Sequence, residues 1–450
     1  MLSKDEKNIA RECIAMALEA GAGKARVSMS RNEMSIVATL DGEVDKVTSC
    51  LDRSISLNIF ADGRYGSFST NKLDRASLQS FISGAVETTR MLAADEFRDL
   101  PDPARYAKDA LTGDELGIAD PSYSGVTPGF RSRMAVENAL HTDRGEGWKL
   151  VSQEGEYSDS DYSNFVLDSQ GLEALHHETS FEFFTELTIE DSSGHKFSGG
   201  WWEASPLLKD FHPEKVAEAA LREAVMQIGP GACRSGKYKL VIDSEVSSKV
   251  VSPILNALNA FSIQQGNSFL VDSAGKRIFP SGLTILDIPR TPGEACGKLF
   301  DSEGVATSNH AIIENGVVKE YFVNTYMANK LGTAPTAEDA VRPSVLPYLP
   351  SGTAPEGPFG REEIMKLCGD GILVTDFCGG NCNQATGAFS YAIQGYRFKD
   401  GRICRPVREM LITGDIVSLW SGLIAAGNDA RRCRAKLTPT LAFDNVDFSG

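Results

Sequence analysis

The chain has 450 residues, room for about two or three packed domains, and its 42% apolar and 24% charged residues suit a globular protein. Forty-five basic against 61 acidic residues give a formal charge of −16, which argues against nonspecific nucleic-acid binding, since that needs a basic surface. No run of about 18 apolar residues supports a membrane span, the charged start Ser3-Lys4-Asp5-Glu6-Lys7 is no signal peptide, and nine scattered cysteines read as reduced thiols, so the cytoplasm is expected.

Ser3 and Glu6 form a capping box ahead of Ile9, Cys13, Met16 and Ala20, which recur at helical spacing. Alternating runs around Val27–Ala38 and Ile55–Ile59, split by Asp41-Gly42 and Asp62-Gly63, predict an antiparallel meander. Asp74 caps a second helix with Leu78, Ile82, Ala85 and Val86 inside. Residues 99–129 read as a connecting loop with little core. A short helix at Pro128 and strands at 148–157, 162–167, 178–189 and 196–202 follow, then a helix from Pro213 to Ile228.

Gly229-Pro230-Gly231 marks the expected boundary between an N-terminal α+β domain (1–230) and a β-rich C-terminal domain (231–450). In the latter, the strand 238–242 leads into a helix with Val250, Val251, Ile254, Leu255 and Leu258 on one face. Hairpins at Asn315-Gly316 and Asp400-Gly401 indicate a sandwich- or barrel-like fold with one central helix. Residues 333–358 hold six prolines and read as an ordered loop or flap. The fold class is α+β.

Four features bear on chemistry. Cys378-Gly-Gly-Asn-Cys382 is one residue longer than a redox or zinc-knuckle pair and lacks a second pair nearby. A tight turn with small residues and a reactive-thiol site are its two readings. His176 and His177 are adjacent in a strand and point to opposite faces, which does not suit one metal ion. Asp301 and Glu303 make an acidic turn, read as side-chain-to-backbone bonding or as a cation site. No Gly-x-Ser-x-Gly, Walker or Gly-x-Gly-x-x-Gly element occurs.

The order of the pieces carries a resemblance. Phe300-Asp301-Ser302-Glu303-Gly304, the hairpin Ile313-Glu-Asn-Gly-Val317, Thr325 to Gly332, Gly371-Ile-Leu-Val-Thr375, Thr386-Gly387-Ala-Phe-Ser390 and Gly395 together resemble the C-terminal half of the TldD/PmbA family, the "modulators of DNA gyrase". Ile55 to Phe60, Gly66-Ser-Phe-Ser-Thr70 and Leu73-Asp74 resemble its N-terminal half, so the likeness spans about residues 10 to 448. Ala388 departs from the pattern, which has an acidic residue before Phe-Ser, and removes a polar role there.

The resemblance implies a cytosolic zinc metallopeptidase built from two related subunits, with His-Glu-x-x-x-His on a helix of the TldD subunit. The corresponding run here, Ser247-Ser-Lys-Val-Val-Ser252-Pro253-Ile-Leu-Asn-Ala257, has no histidine. The chain therefore resembles the PmbA (TldE) subunit: no catalytic residue and no metal of its own, zinc only in a TldD-like partner, and an extended peptide as shared substrate. A strand edge at Phe389, Ser390, Tyr391 and Gly395, or the 333–358 segment, is expected to receive the peptide. Two other readings remain: a stand-alone homodimeric binding protein, and a hydrolase using Cys378 and Cys382.

Overall fold

Ser3 Oγ accepts from the Glu6 amide at 3.2 Å and Glu6 Oε2 accepts from Ser3 N at 2.8 Å, closing the capping box of helix α1 (Lys4–Glu19). The strands β1 (Lys24–Leu40), β2 (Glu43–Ala61) and β3 (Arg64–Thr70) turn at Asp41-Gly42 and Asp62-Gly63, all four residues at positive φ as tight hairpins require. Asp74 Oδ1 accepts from Ser77 N to cap α2 (Arg75–Met91). After α3 (Pro128–Glu137) come β4 (Arg144–Gly145), β5 (Trp148–Asp168), β6 (Glu173–Asp191), β7 (Lys196–Ser205) and α4 (Val216–Val225).

The computed structural model describes residues 1–231, 233–351 and 356–450. They divide into two compact units. In the first, residues 1–225, 290–307 and 325–333, an antiparallel sheet runs in the order β3-β2-β1-β5-β6-β7. α1 and α2 share a core with its Val27, Met29, Ile55, Leu57 and Ile59, while Tyr157, Phe181 and Phe183 pack with Phe130 and Met134 of α3.

Two expectations change here. The strands predicted at 148–157 and 162–167 are one 21-residue strand. Its polar middle stays extended because Asp159 is held by Arg131 at 2.7 and 2.9 Å and by the Tyr123 hydroxyl at 2.8 Å. The 99–129 loop has a real core: Tyr106, Ala107, Ala110, Leu116 and Ile118 pack with Leu299 and Phe300. Their irregular spacing carries no periodic signal.

The second unit comprises residues 226–289, 308–324 and 334–450. Its elements in the second half of the chain are β8 (Gly236–Ile242), α5 (Ser248–Ala257), α6 (Ala260–Gln264), β9 (Ile285–Asp287), β10 (His310–Glu314) and β11 (Val317–Val318). The helix α7 (Thr325–Leu331), next in the chain, lies in the first unit. Then follow β12 (Pro343–Val345), α8 (Arg361–Cys368), β13 (Gly371–Cys382), β14 (Ala388–Lys399), β15 (Arg402–Asp415), α9 (Ile416–Ser421), β16 (Leu423–Ala426) and β17 (Leu441–Ser449).

β15-β14-β13-β8-β17 are hydrogen-bonded in that order, and β15 pairs back onto β17 through Leu411↔Ser449, Ile412↔Phe448 and Thr413↔Asp447. This is the closed five-stranded form of the expected barrel-like domain, and the α+β class holds. Val250, Val251, Ile254 and Leu255 of α5 share the barrel's core with Trp420, whose indole N–H donates to Val250 O at 3.1 Å.

The Cys378–Cys382 stretch is strand, where a glycine-rich loop was expected. A register shift between Phe377 and Gly379 leaves Cys378 as the extra residue, Gly379 and Gly380 stay paired with Ala392 and Tyr391, and the turn falls later, at 383–387. Residues 352–355 of the proline-rich segment lie outside the described residues. Among the described residues no helix is long and apolar enough to cross a membrane.

Candidate functional site

α5 buries one stripe and leaves Ser248, Lys249, Ser252, Pro253 and Asn256 on the other, spaced so that they share a helix face. Asp376, Phe377, Gly380, Asn381 and Cys382 of β13 and Tyr391 of β14 stand opposite, and Glu245, Val246 and Gln384 complete a cavity of about 540 Å³. The two stretches singled out in the sequence, the cysteine-bearing strand and the histidine-free helix, thus form two walls of one cavity.

The cavity's charges are largely committed. The Glu245 carboxylate accepts from Arg431 Nη1 at 3.2 Å and also pairs with Arg434. Lys436 Nζ donates to Ser252 Oγ at 2.8 Å. Lys249 Nζ lies 5.0 Å from the centre of the Tyr391 ring, a cation–π contact. Gln384 Nε2 donates to Asn256 O at 3.1 Å and to Ser262 Oγ at 3.0 Å, tying the β13–β14 turn to the helix.

Burial pushes the Cys382 thiol upward, and burial with the Asp376 charge does the same to Cys378. Cys378 is exposed, its Sγ 3.7 Å from Asp376 Oδ2. Both shifts disfavour the thiolate that a nucleophile or metal ligand requires. The Tyr391 hydroxyl is likewise raised, by burial and then by Cys382.

The other expected residues are distributed as follows. Tyr391 lines the cavity, and Phe389 stacks on it at 5.1 Å and 15°. Ser390 is exposed, and Gly395 sits where a Cβ would meet Leu373 O at 1.9 Å. The open strand edge expected at Phe389–Gly395 is not there, because β14 is hydrogen-bonded to β13 on one side and β15 on the other.

Phe300, Asp301, Glu303 and Gly304 belong to the first unit and line no part of the cavity. Asp301 Oδ1 accepts from Glu303 N and Val305 N at 2.9 Å each. Glu303 Oε2 accepts from Thr325 N and Oγ1 at 3.0 and 2.7 Å, at the start of α7. Those bonds are the turn reading of the acidic pair. Thr386 and Gly387 close the β13–β14 turn, where Asn383 Oδ1 accepts from Ala385 N and Thr386 N.

Lys249, Asn256, Gln384 and Lys436 were not singled out from the sequence. The polar stripe at 248, 249, 252 and 256 on an otherwise apolar helix was the available signal; Lys436 had none.

Residues 130–228 match the PmbA/TldA metallopeptidase central domain, and residues 235–450 match the PmbA/TldA metallopeptidase C-terminal domain. A barrel-bearing α+β chain matched in this way is of the metallopeptidase-related class. A crystal structure from Bacteroides thetaiotaomicron, bearing the name modulator of DNA gyrase, is 33% identical and superposes over 100% of both chains with a TM-score of 0.92. Metalloprotease PmbA of Escherichia coli O157:H7 is 25% identical over 97% of this chain and 96% of its own. TldE of Thermococcus kodakarensis, at 18% identity and a TM-score of 0.80, covers 98% of this chain and 100% of that one, and shares the fold. The chain belongs to the PmbA/TldD metallopeptidase family.

Catalytic zinc takes about three nitrogen, sulfur or carboxylate donors and an open position. The cavity face of α5 offers two serines, a lysine, a proline and an asparagine. Among the described residues no group of three His, Cys, Asp or Glu is placed to hold a metal ion. Glu245 is committed to two arginines, and the Lys436 ammonium on Ser252 repels a cation. This donor set does not fit the metal.

Proposed function

We propose that this chain is the non-catalytic, PmbA/TldE-type subunit of a two-subunit cytoplasmic zinc metallopeptidase. It pairs with a TldD-like chain that carries the zinc and helps to hold extended peptides or unfolded proteins for cleavage. The observation that carries the reading is the Lys436–Ser252 contact on the cavity face of α5. An ammonium bound to this face of α5, the helix that the resemblance aligns with the zinc-bearing helix of TldD, disfavours a divalent cation there.

The remaining cavity chemistry suits a binding role. Asn256 and Asn381 offer amides and Gln384 its carbonyl oxygen to a peptide backbone, and Phe377 and Tyr391 offer ring surface to its side chains. The raised thiols weigh against a hydrolase built on Cys378 and Cys382.

The test is reconstitution. The purified chain, dialysed against excess zinc, is expected to retain less than one ion per chain and to leave denatured casein intact. Mixed with a TldD-like chain, it should co-elute and raise cleavage above that of the TldD-like chain alone. Cleavage by the isolated chain that disappears in a Ser252→Ala or Tyr391→Phe variant sinks the proposal.

A further inference from the structure

Lys249 stands in the cavity without a counter-ion. Its ammonium makes no ion pair and no hydrogen bond among the described residues, and its charge rests over the Tyr391 ring, 5.0 Å from the centre. The nearest carboxylate in sequence is Glu245, and that group is taken by Arg431 and Arg434. The first turn of α5 holds no acidic side chain, so a cation there also runs against the helix dipole.

One turn along the same face, Lys436 brings a second ammonium to Ser252, 2.8 Å from its Oγ, with further N–H groups left to donate. A carboxyl in its field, Asp339, is pushed by burial towards the neutral form. The α5 wall of the cavity thus carries positive charge that the fold leaves unmatched, in a chain whose formal charge is −16.

We propose, on the reading of this cavity as a peptide-binding site, that its α5 wall holds a carboxylate of the bound peptide, with Lys249 as counter-ion and the Lys436 ammonium as a second donor. A carboxylate is purely an acceptor, and hydrogen bonds to it from charged donors are the strong kind. The Asn256 amide, on the same face and without a side-chain partner among the described residues, supplies a further donor. Asp376, on the β13 wall and with no basic partner among the described residues, accepts from backbone N–H groups upstream of that carboxylate. A bare inorganic anion would use the lysines but would leave Asp376 and the Phe377 and Tyr391 rings unmatched, which is why the occupant is a peptide. Its carboxylate is either the chain end or the tip of an acidic side chain, two sources with the same pair of oxygens.

Binding of dansyl-labelled peptides to the purified full chain, read by fluorescence anisotropy at low salt, tests this. Three peptides share one uncharged core and a blocked N-terminus. One ends in a free acid, one in an amide, and one in an amide with a glutamate replacing a central alanine. The free acid, the glutamate peptide or both should bind at least about tenfold tighter than the plain amide, and added salt should erode the gain. A gain confined to the free acid assigns the wall to the chain end, and one confined to the glutamate peptide assigns it to the side chain. Lys249→Met should remove most of the gain and leave the affinity for the plain amide unchanged, which also shows that the variant is folded. Lys249→Arg should retain the gain, and Lys436→Met should reduce it.

A plain amide bound as tightly as both carboxylate peptides overturns the proposal and leaves the peptide-binding role standing. So does a gain that persists undiminished in Lys249→Met and in Lys436→Met. Binding of none of the three peptides overturns it as well, and the binding role falls with it only if the chain also fails to raise cleavage by a TldD-like partner.

Discussion

Lys436 Nζ donates to Ser252 Oγ across 2.8 Å, and so fixes a residue near the far end of the chain onto the cavity face of α5. The contact is half-buried and joins a charge to a hydroxyl, a pairing that contributes about 1 kcal/mol net. A double-mutant cycle of Ser252→Ala and Lys436→Met, read by urea unfolding, should show coupling of about 0.5–1.5 kcal/mol. Additive single effects would place the two side chains apart.

His177 sits between Asp161, 3.3 Å from Nε2, and Asp114, 3.0 Å from Nδ1. Burial would lower its pKa, but the hydrogen bonds to the two carboxylates outweigh it and raise the value above 6.5. The group therefore stabilises the fold fully below pH 6.5, and that contribution is lost as pH rises through the raised value. Asp161 behaves oppositely. Burial opposes ionisation, yet His177 and the Met1 amino group bring it down to about 2, so its contribution is present above 3.8 and lost as pH falls towards 2. Unfolding midpoints measured from pH 2 to 9 should fall at both ends, and His177→Phe should flatten the alkaline limb.

Gly379 and Gly380 are neighbours with opposite demands. A Cβ on Gly379 meets nothing within 4 Å, whereas Gly380 has a φ of +89° and a Cβ there would lie 2.0 Å from Ser390 O. Gly379→Ala should change stability by less than about 0.5 kcal/mol, and Gly380→Ala should cost about 2 kcal/mol or more. Equal effects in thermal melts would contradict the backbone geometry at Gly380.

The thiols of Cys378 and Cys382 are both held above the ordinary value of 9.0. Their reaction with an aromatic disulfide reagent at pH 7 should be slower than that of a free thiol, and should keep accelerating beyond pH 9. Rapid labelling of either at neutral pH would reopen the thiol-hydrolase reading.

Local rules were legible along the chain wherever chemistry and geometry sit close together. The Ser3–Glu6 box, the Asp-Gly hairpins and the apolar stripe of α5 all express short-range constraints, and each forms as its residues imply. The cavity was legible only in halves. Its walls are α5 and β13, and nothing in either stretch says that they face each other. Tyr391 was named as part of a strand edge and instead lines the cavity wall, whereas Lys436 becomes meaningful only once its distance to Ser252 is known. The mistaken open edge at Phe389–Gly395 has the same origin. Strand pairing on both sides is a property of the closed barrel, and alternation in one strand cannot reveal it.

Leu299 and Phe300 pack among residues 106–118, and the stretches 290–307 and 325–333 belong to the first unit although the second unit surrounds them in sequence. No single cut of the polypeptide therefore yields both halves intact. A fragment ending near residue 230 would lack two of its own pieces, and one beginning there would carry them as orphans with apolar side chains bare. Exchange of halves between relatives through one crossover would inherit the same mismatch. The two units are bound to change together, as one heritable block.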